Sequence, residues 1–412
     1  MIDLALTFII AAVIIVVGYL ADVLFRKTGF PDILFLLILG IVLGPVLGLF
    51  SKNDLAPITP YLIELSLIMI LFYGGMDMNI NKVLRQSGRA TLLAVIYFIL
   101  VTIFASTVAK FVLNIDWIPA LMFGPMIAGT SSAVIIPLCK KLIMKEETAL
   151  TLSLESTITD VLNIVFFFSL LTLYLSGSFS LWSFAENVLA KFGIGILLGF
   201  VVGIFWVWIL DKIRDEPYNY ISTLAVLIFT VMGADLIGGS GVLSALVMGL
   251  VIGNYKKVSS LVKITILSST FEKQKEKLAG LQSELTFLMR TFFFVFLGLL
   301  YDISYTSVTF GLLMGLLFLT INLSLRYISV RLSVVRSCMQ SDAAIMTLLC
   351  GQGLAHATLS VIPQQYEIPN ATIYPIIVVT MIILTNIVTT FGPFMIIRRT
   401  RQKPKTYRRR FR

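Results

Sequence analysis

Two carboxylates stand inside one apolar run, Leu152-Ser153-Leu154-Glu155-Ser156-Thr157-Ile158-Thr159-Asp160-Val161. If that run starts near Thr148 at one membrane surface, Asp160 lies about twelve residues in, roughly 18 Å at helical rise and close to mid-membrane. Glu155 lies about 7.5 Å nearer the same surface. A charge at that depth costs at least about 2.5 kcal/mol, so it needs a cavity, a partner or a bound cation. Five positions of helix turn through about 500°, which leaves the two acids some 140° apart and argues against one small shared site. Ser156 is one turn before Asp160 on the same face. Asp160 therefore reads as a carboxylate that holds either H⁺ or a monovalent cation, since burial favours its protonated form and a cation its ionised form. Glu155 reads as part of the surrounding frame. The competing readings are a fixed polar contact between helices for either acid, and hydroxyls bonded to their own helix backbone for Ser156 and Thr159.

The other candidates follow from depth. Arg326, toward one end of its apolar run, can reach and neutralise Glu155; Arg290 is the competing partner, and an interfacial arginine that snorkels to water is the plain alternative. Gly124-Pro125 and Gly129-Thr130-Ser131-Ser132 favour an interrupted helix, as does Gly351-Gln352-Gly353-Leu354-Ala355-His356. Two broken helices crossing near mid-membrane would offer free carbonyls to a cation, unless their small residues serve only close packing. His356 is the single histidine and a candidate pH sensor, against an ordinary packed imidazole. It has no nearby ligand set, so no transition-metal site is expected. Cys139, Cys338 and Cys350 read as small hydrophobes.

These residues need a polytopic helical frame to hold them. Hydrophobic residues make up 58% of the 412, charged ones only 13%, against about 25% in soluble domains. We read thirteen spans, at 2–24, 31–50, 61–78, 90–112, 117–138, 148–174, 184–210, 218–236, 240–254, 288–303, 306–330, 341–363 and 373–397. The start lacks the features of a cleaved leader. Alternate connections carry Arg26 and Lys27; Lys82, Arg85 and Arg89; Lys140, Lys141 and Lys145; Lys212 and Arg214; Lys256, Lys257 and Lys263; Arg331 and Arg336; then Arg398, Arg399 and Arg401. Lys52, Lys110 and Lys191 are the exceptions. This alternation places the N-terminus outside and the C-terminus in the cytoplasm, and it accounts for the net charge of +10 without nucleic acid. The charged stretch from Phe271 reads as a surface helix, and the tail ends Arg408-Arg409-Arg410-Phe411-Arg412. No soluble nucleotide-binding domain and no cofactor is expected.

The halves resemble each other. Ser132-Ala133-Val134-Ile135-Ile136-Pro137 matches Thr358-Leu359-Ser360-Val361-Ile362-Pro363, 226 positions on, and the same offset sets Thr159-Asp160-Val161 on Thr385-Asn386-Ile387. Phe72-Tyr73-Gly74 can be set on Phe296-Leu297-Gly298, and Gly40–Gly44 on Gly249–Gly253. The domain plan is a first repeat over 1–175, a connecting span at 184–210, a second repeat over 218–397 and a basic cytoplasmic tail at 398–412. One span between two six-span units inverts the second, the plan of a secondary transporter.

Taken together, the chain resembles the monovalent cation/proton antiporter family, specifically its sodium/proton exchangers and most nearly the electroneutral branch. Glu155-Ser156-Thr157-Ile158-Thr159-Asp160 carries the likeness, supported by Gly129-Thr130-Ser131-Ser132, Phe292–Gly298, Arg326 and Leu71-Phe72-Tyr73-Gly74-Gly75. The resemblance implies a homodimer in the plasma membrane, a core domain moving against a dimerisation domain, and Na⁺, Li⁺ or K⁺ competing with H⁺ at Asp160. It implies that Ser156, Thr130 and Thr159 border the ion, with Ser131 and Tyr73 as accessory positions, and that Glu155 and Arg326 form a structural ion pair. Relatives commonly carry Asn or Asp at the position of Thr159, an acid at that of Tyr73 in some, and Thr-Asp-Pro at 130–132. With no second acid beside Asp160, one-for-one exchange is expected. K⁺/H⁺ exchange, proton-coupled transport of an organic or anionic solute, and a channel remain alternatives.

Overall fold

The computed structural model describes residues 4–50, 58–77, 80–177, 181–213, 218–262 and 269–402. Among the described residues 86% are helical and none lies in a strand. In chain order the helices are α1 (Leu4–Thr28), α2 (Asp32–Ile41, widening into a looser turn over Val42–Val46 around Pro45), α3 (Thr59–Asp77) and α4 (Ile80–Val112). They continue with α5 (Trp117–Ile127), α6 (Ser132–Lys141), α7 (Glu146–Ser176), α8 (Leu181–Lys212), α9 (Asn219–Leu236) and α10 (Gly241–Gly253). The last are α11 (Tyr255–Val262), α12 (Ser269–Leu300), α13 (Tyr305–Ser333), α14 (Ala343–Leu348), α15 (Leu354–Gln365) and α16 (Ile373–Gln402).

Each expected span has a helical counterpart. Two of them are split, 117–138 into α5 and α6, and 341–363 into α14 and α15. Among the described residues nine helices or helix pairs are long and apolar enough to cross a membrane, with shorter apolar helices at Asp32–Val46 and Gly241–Gly253. The chain is a multi-pass membrane protein. The split span Trp117–Cys139 is 72% buried over its apolar window, whereas α1 and α9 are 28% buried, which leaves their apolar faces for lipid. One expectation needs correction. The stretch from Phe271 is no separate surface helix but the start of α12, because its Lys, Glu, Gln and Leu residues are strong helix formers with no proline to stop them. Lys52, Arg214, Lys263 and Arg408–Arg412 lie outside the described residues. The lysines at 110 and 191 have local partners: Lys110 pairs with Asp116 at 3.6 Å, and Lys191 donates to Phe168 O and Thr172 Oγ1.

The helices form two compact units, each drawing on both halves of the sequence. One comprises Met1–Ile15, Gly48–Arg85 and Val165–Phe296. Within it α10 packs against α3 and α8. A Cβ on Gly249 would lie 2.1 Å from Phe72 O, and one on Gly75 2.1 Å from Leu246 O, so only glycine permits this backbone approach. The other unit comprises Val16–Leu47, Gln86–Ile164 and Leu297–Arg412, and holds both broken helices. It shows the same kind of approach, with a Cβ on Gly298 falling 2.4 Å from Leu37 O. Gly249→Val is expected to lower stability by about 2 kcal/mol through overpacking, read as a lower melting temperature in detergent; an unchanged melting temperature would contradict the close packing.

Candidate functional site

The first break covers residues 128–131. It is opened by Gly129, whose φ of +85° belongs to glycine, and a Cβ there would meet Thr159 Cβ at 2.6 Å. The helix runs on through Gly124-Pro125 and stops only after Ile127. Inside a membrane the exposed peptide groups of such a break need protein partners. Thr159 supplies one set: its hydroxyl accepts from Thr130 N (3.3 Å) and faces Thr130 O (3.3 Å) and Ser156 O (3.1 Å) as acceptors for its proton. Ser131 N donates to Gly351 O at 2.8 Å, which joins the two breaks directly.

Two carbonyls where α5 gives way to the break, Ile127 O and Ala128 O, are already engaged by side chains, contrary to the expectation of free carbonyls there. Ile127 O accepts from Asn322 Nδ2 (3.0 Å) and Gln352 Nε2 (2.5 Å). Ala128 O accepts from Asn163 Nδ2 (2.6 Å) and lies 2.9 Å from His356 Nε2. His356 is fully buried, and its Nδ1 accepts from Gly353 N, so the ring is a neutral hydrogen-bonding link between the breaks. Sequence reasoning left Asn163, Gln352 and Asn322 unassigned. Their signal was present, as amides within apolar runs.

Glu155 and Arg326 are in contact, and both are wholly buried. Arg326 donates its two terminal nitrogens to the two carboxylate oxygens at 3.1 and 3.2 Å. Its Nε donates to Met346 O at 3.0 Å, placing positive charge at the C-terminal end of α14. The Tyr97 ring lies 4.9 Å from the guanidinium carbon, and Tyr97 Oη donates to Asn322. Arg326 does not snorkel to an interface. Thr130 Oγ1 lies 3.2 Å from both oxygens of Glu155, so the pair is tied to the break.

Asp160 takes the other side of the same break. Ser132, the first residue of α6, donates to Asp160 Oδ2 from its backbone N–H (3.1 Å) and its hydroxyl (2.8 Å). A carboxylate at a helix N-terminus is favoured by the helix dipole. Asp160 Oδ1 is buried and has no hydrogen-bond partner. Ser132 was quoted in the motif but given no role; its position as first residue of a half-helix was the available signal. Ser156 gives its hydroxyl proton to Ser153 O of its own helix (3.0 Å), which leaves its oxygen lone pairs available. Ser131 is buried beside Gly353. Tyr73 and Arg290 are on α3 and α12, in the other unit. Cys139 and Cys350 are buried and Cys338 exposed, and no cluster of three His, Cys, Asp or Glu fit for a metal occurs among the described residues.

The family model described as "Sodium/hydrogen exchanger, transmembrane" matches residues 11–397. The chain belongs to the sodium/hydrogen exchanger family. This exchanger-family chain is 29% identical over 288 residues, 66% of its length, to probable Na(+)/H(+) antiporter 2 of Methanocaldococcus jannaschii. It is also 29% identical over 259 residues, 60% of its length, to the K(+)/H(+) antiporter NhaP2 of Shewanella sp. strain MR-4. It spans 64% and 44% of those relatives' own lengths. Its fold resembles the solved sodium proton antiporter MjNhaP1 of Methanocaldococcus jannaschii, with a TM-score of 0.74 at 23% identity, over 95% of this chain and 96% of that one.

The ion pair gives a testable energetic expectation. Glu155→Gln or Arg326→Met alone strands a buried charge and costs about 3–5 kcal/mol, while the double variant costs less than the sum of the two. A double-mutant cycle in melting temperature with additive losses would contradict this coupling.

Proposed function

We propose that the chain is a secondary active antiporter that exchanges Na⁺ (or Li⁺) for H⁺ across the membrane, with Asp160 as the exchange carboxylate. The observation that carries this reading is the half-used carboxylate. Asp160 Oδ2 is fixed on Ser132, while Oδ1 is buried and unbonded. Among the described residues no cationic side chain pairs with it, whereas Glu155 is already neutralised by Arg326. A proton or a small cation can occupy Oδ1, and occupancy by one excludes the other. A single such carboxylate supports one-for-one, electroneutral exchange. Ser156 offers its lone pairs nearby, and Thr130 and Thr159 shape the break around the ion. Arg326 is engaged by Glu155 and Met346 O, which argues against its use as the ligand of an anionic solute.

Alternating access fits the inverted-repeat plan of 1–175 and 218–397. Its support is the recurrent glycine contact: Gly75 against Leu246, and Gly298 against Leu37, lie on segments that the sequence offsets pair to within a residue. Loop charge supports a cytoplasmic C-terminus, and the family resemblance a place in the plasma membrane. We place the chain there as a homodimer, by analogy with the family. The K(+)/H(+) relatives favour K⁺ as the second candidate ion.

In acid-loaded proteoliposomes, an external pulse of Na⁺ or Li⁺ should release protons, at a rate indifferent to membrane potential. Because H⁺ competes for the same oxygen, the apparent KM for Na⁺ should rise as pH falls. Asp160→Asn should abolish exchange at every pH with its melting temperature preserved; full exchange by that variant would sink the assignment. Release by K⁺ but not by Na⁺ would shift the substrate to K⁺.

A further inference from the structure

Asn163 follows Asp160 by three positions on α7, one turn on along the same face. It is fully buried. Its Nδ2 donates to Ala128 O at 2.6 Å. Turning the amide over would set two acceptor oxygens against each other, so its orientation is fixed, with Oδ1 directed away from that carbonyl. A Cβ on Gly129 would come within 3.2 Å of Asn163 Nδ2, so the break lies tight against this side chain. Asn163 Oδ1 has no hydrogen-bond partner, and neither has Asp160 Oδ1. Asp160 and Asn163 therefore share a design. Each holds the same break by one terminal atom, at Ser132 and at Ala128, and each keeps the other terminal oxygen buried and unbonded. A stranded buried acceptor costs about 1–3 kcal/mol. A proton on Asp160 has one direction in which to donate, whereas a hard cation is satisfied by several oxygens at once, amide carbonyls included.

We propose that Asn163 Oδ1 is a direct ligand of the cation exchanged at Asp160, and that it tips the competition at that carboxylate from H⁺ toward the metal ion. This rests on the role given to Asp160 above. It assigns Asn163 a function separate from holding Ala128: the Nδ2 end is structural and the Oδ1 end binds. Removing the oxygen weakens cation binding and leaves proton binding at Asp160 in place. Replacing the amide by a carboxylate keeps an oxygen toward the ion but points an acceptor at Ala128 O.

The test measures Na⁺-driven H⁺ release in proteoliposomes at alkaline pH, where proton competition is weakest, for wild type, Asn163→Ala, Asn163→Asp and Asp160→Asn. Asn163→Ala is expected to raise the apparent KM for Na⁺ about tenfold, the loss of one ion–oxygen interaction, with the maximal rate largely kept. Asn163→Asp is expected to lower that KM. Opposite shifts support the ligand role. An unchanged KM in Asn163→Ala, or the same direction of change in both variants, overturns it and leaves Asn163 a structural donor. If Asn163→Ala does not fold, Asn163→Ser, which withdraws the oxygen by one bond, is read by the same criterion. Loss of exchange in Asp160→Asn keeps the carboxylate's role intact whichever way Asn163 falls; retained exchange in Asp160→Asn removes both.

Discussion

A helix broken inside a membrane must find partners within the protein for every peptide group it exposes, since lipid offers none. The centre of this molecule is organised by that requirement. Two breaks meet at Ser131 N and Gly351 O, so each repairs part of the other. Side-chain amides from α7, α13 and the second break close off Ile127 O and Ala128 O, and a threonine hydroxyl serves both sides of residue 130. Once those groups are satisfied, the unbonded oxygens on Asp160 and Asn163 stand out. Both lie on α7, and the scaffold itself uses neither.

The two buried acids of α7, Glu155 and Asp160, illustrate how one break can serve two purposes. They diverge around the helix, yet the break reaches both, through the Thr130 hydroxyl to Glu155 and through Ser132 to Asp160. The difference between them is electrostatic company. Glu155 shares a fully buried guanidinium that also closes the end of α14 and is backed by the Tyr97 ring. Asp160 has a helix N-terminus and a hydroxyl, which stabilise negative charge without cancelling it.

Much of this could be read in the sequence. Apolar run length located the spans, because burial in lipid leaves a strong compositional trace. Depth along the spans favoured Arg326 over Arg290 as the partner of Glu155, and the structure shows that pair. Glycine and proline located the broken helices, though not the residue at which each breaks; Gly124-Pro125 stays helical, and the chain opens at Gly129, where Thr159 presses against it. The amide contacts were not legible. Asn163, Asn322 and Gln352 are ordinary polar residues in apolar runs, and only the fold shows which carbonyl each one meets. The helix beginning at Ser269 was misjudged for the opposite reason: charge suggested a surface, while unbroken helix propensity carried it straight into a span.

The clamp on Thr130 has a consequence for cycling. Its Thr159 part joins a hydroxyl to peptide groups, none of which changes charge in the accessible pH range. The link between the breaks at Ser131 and Gly351 is likewise peptide to peptide. Loading or unloading Asp160 therefore acts on that carboxylate, its bonds to Ser132 and the Asn163 oxygen, while the bonds of Thr159 to residue 130 carry no charge for the cargo to change. The fastening can then stay closed while the cargo changes.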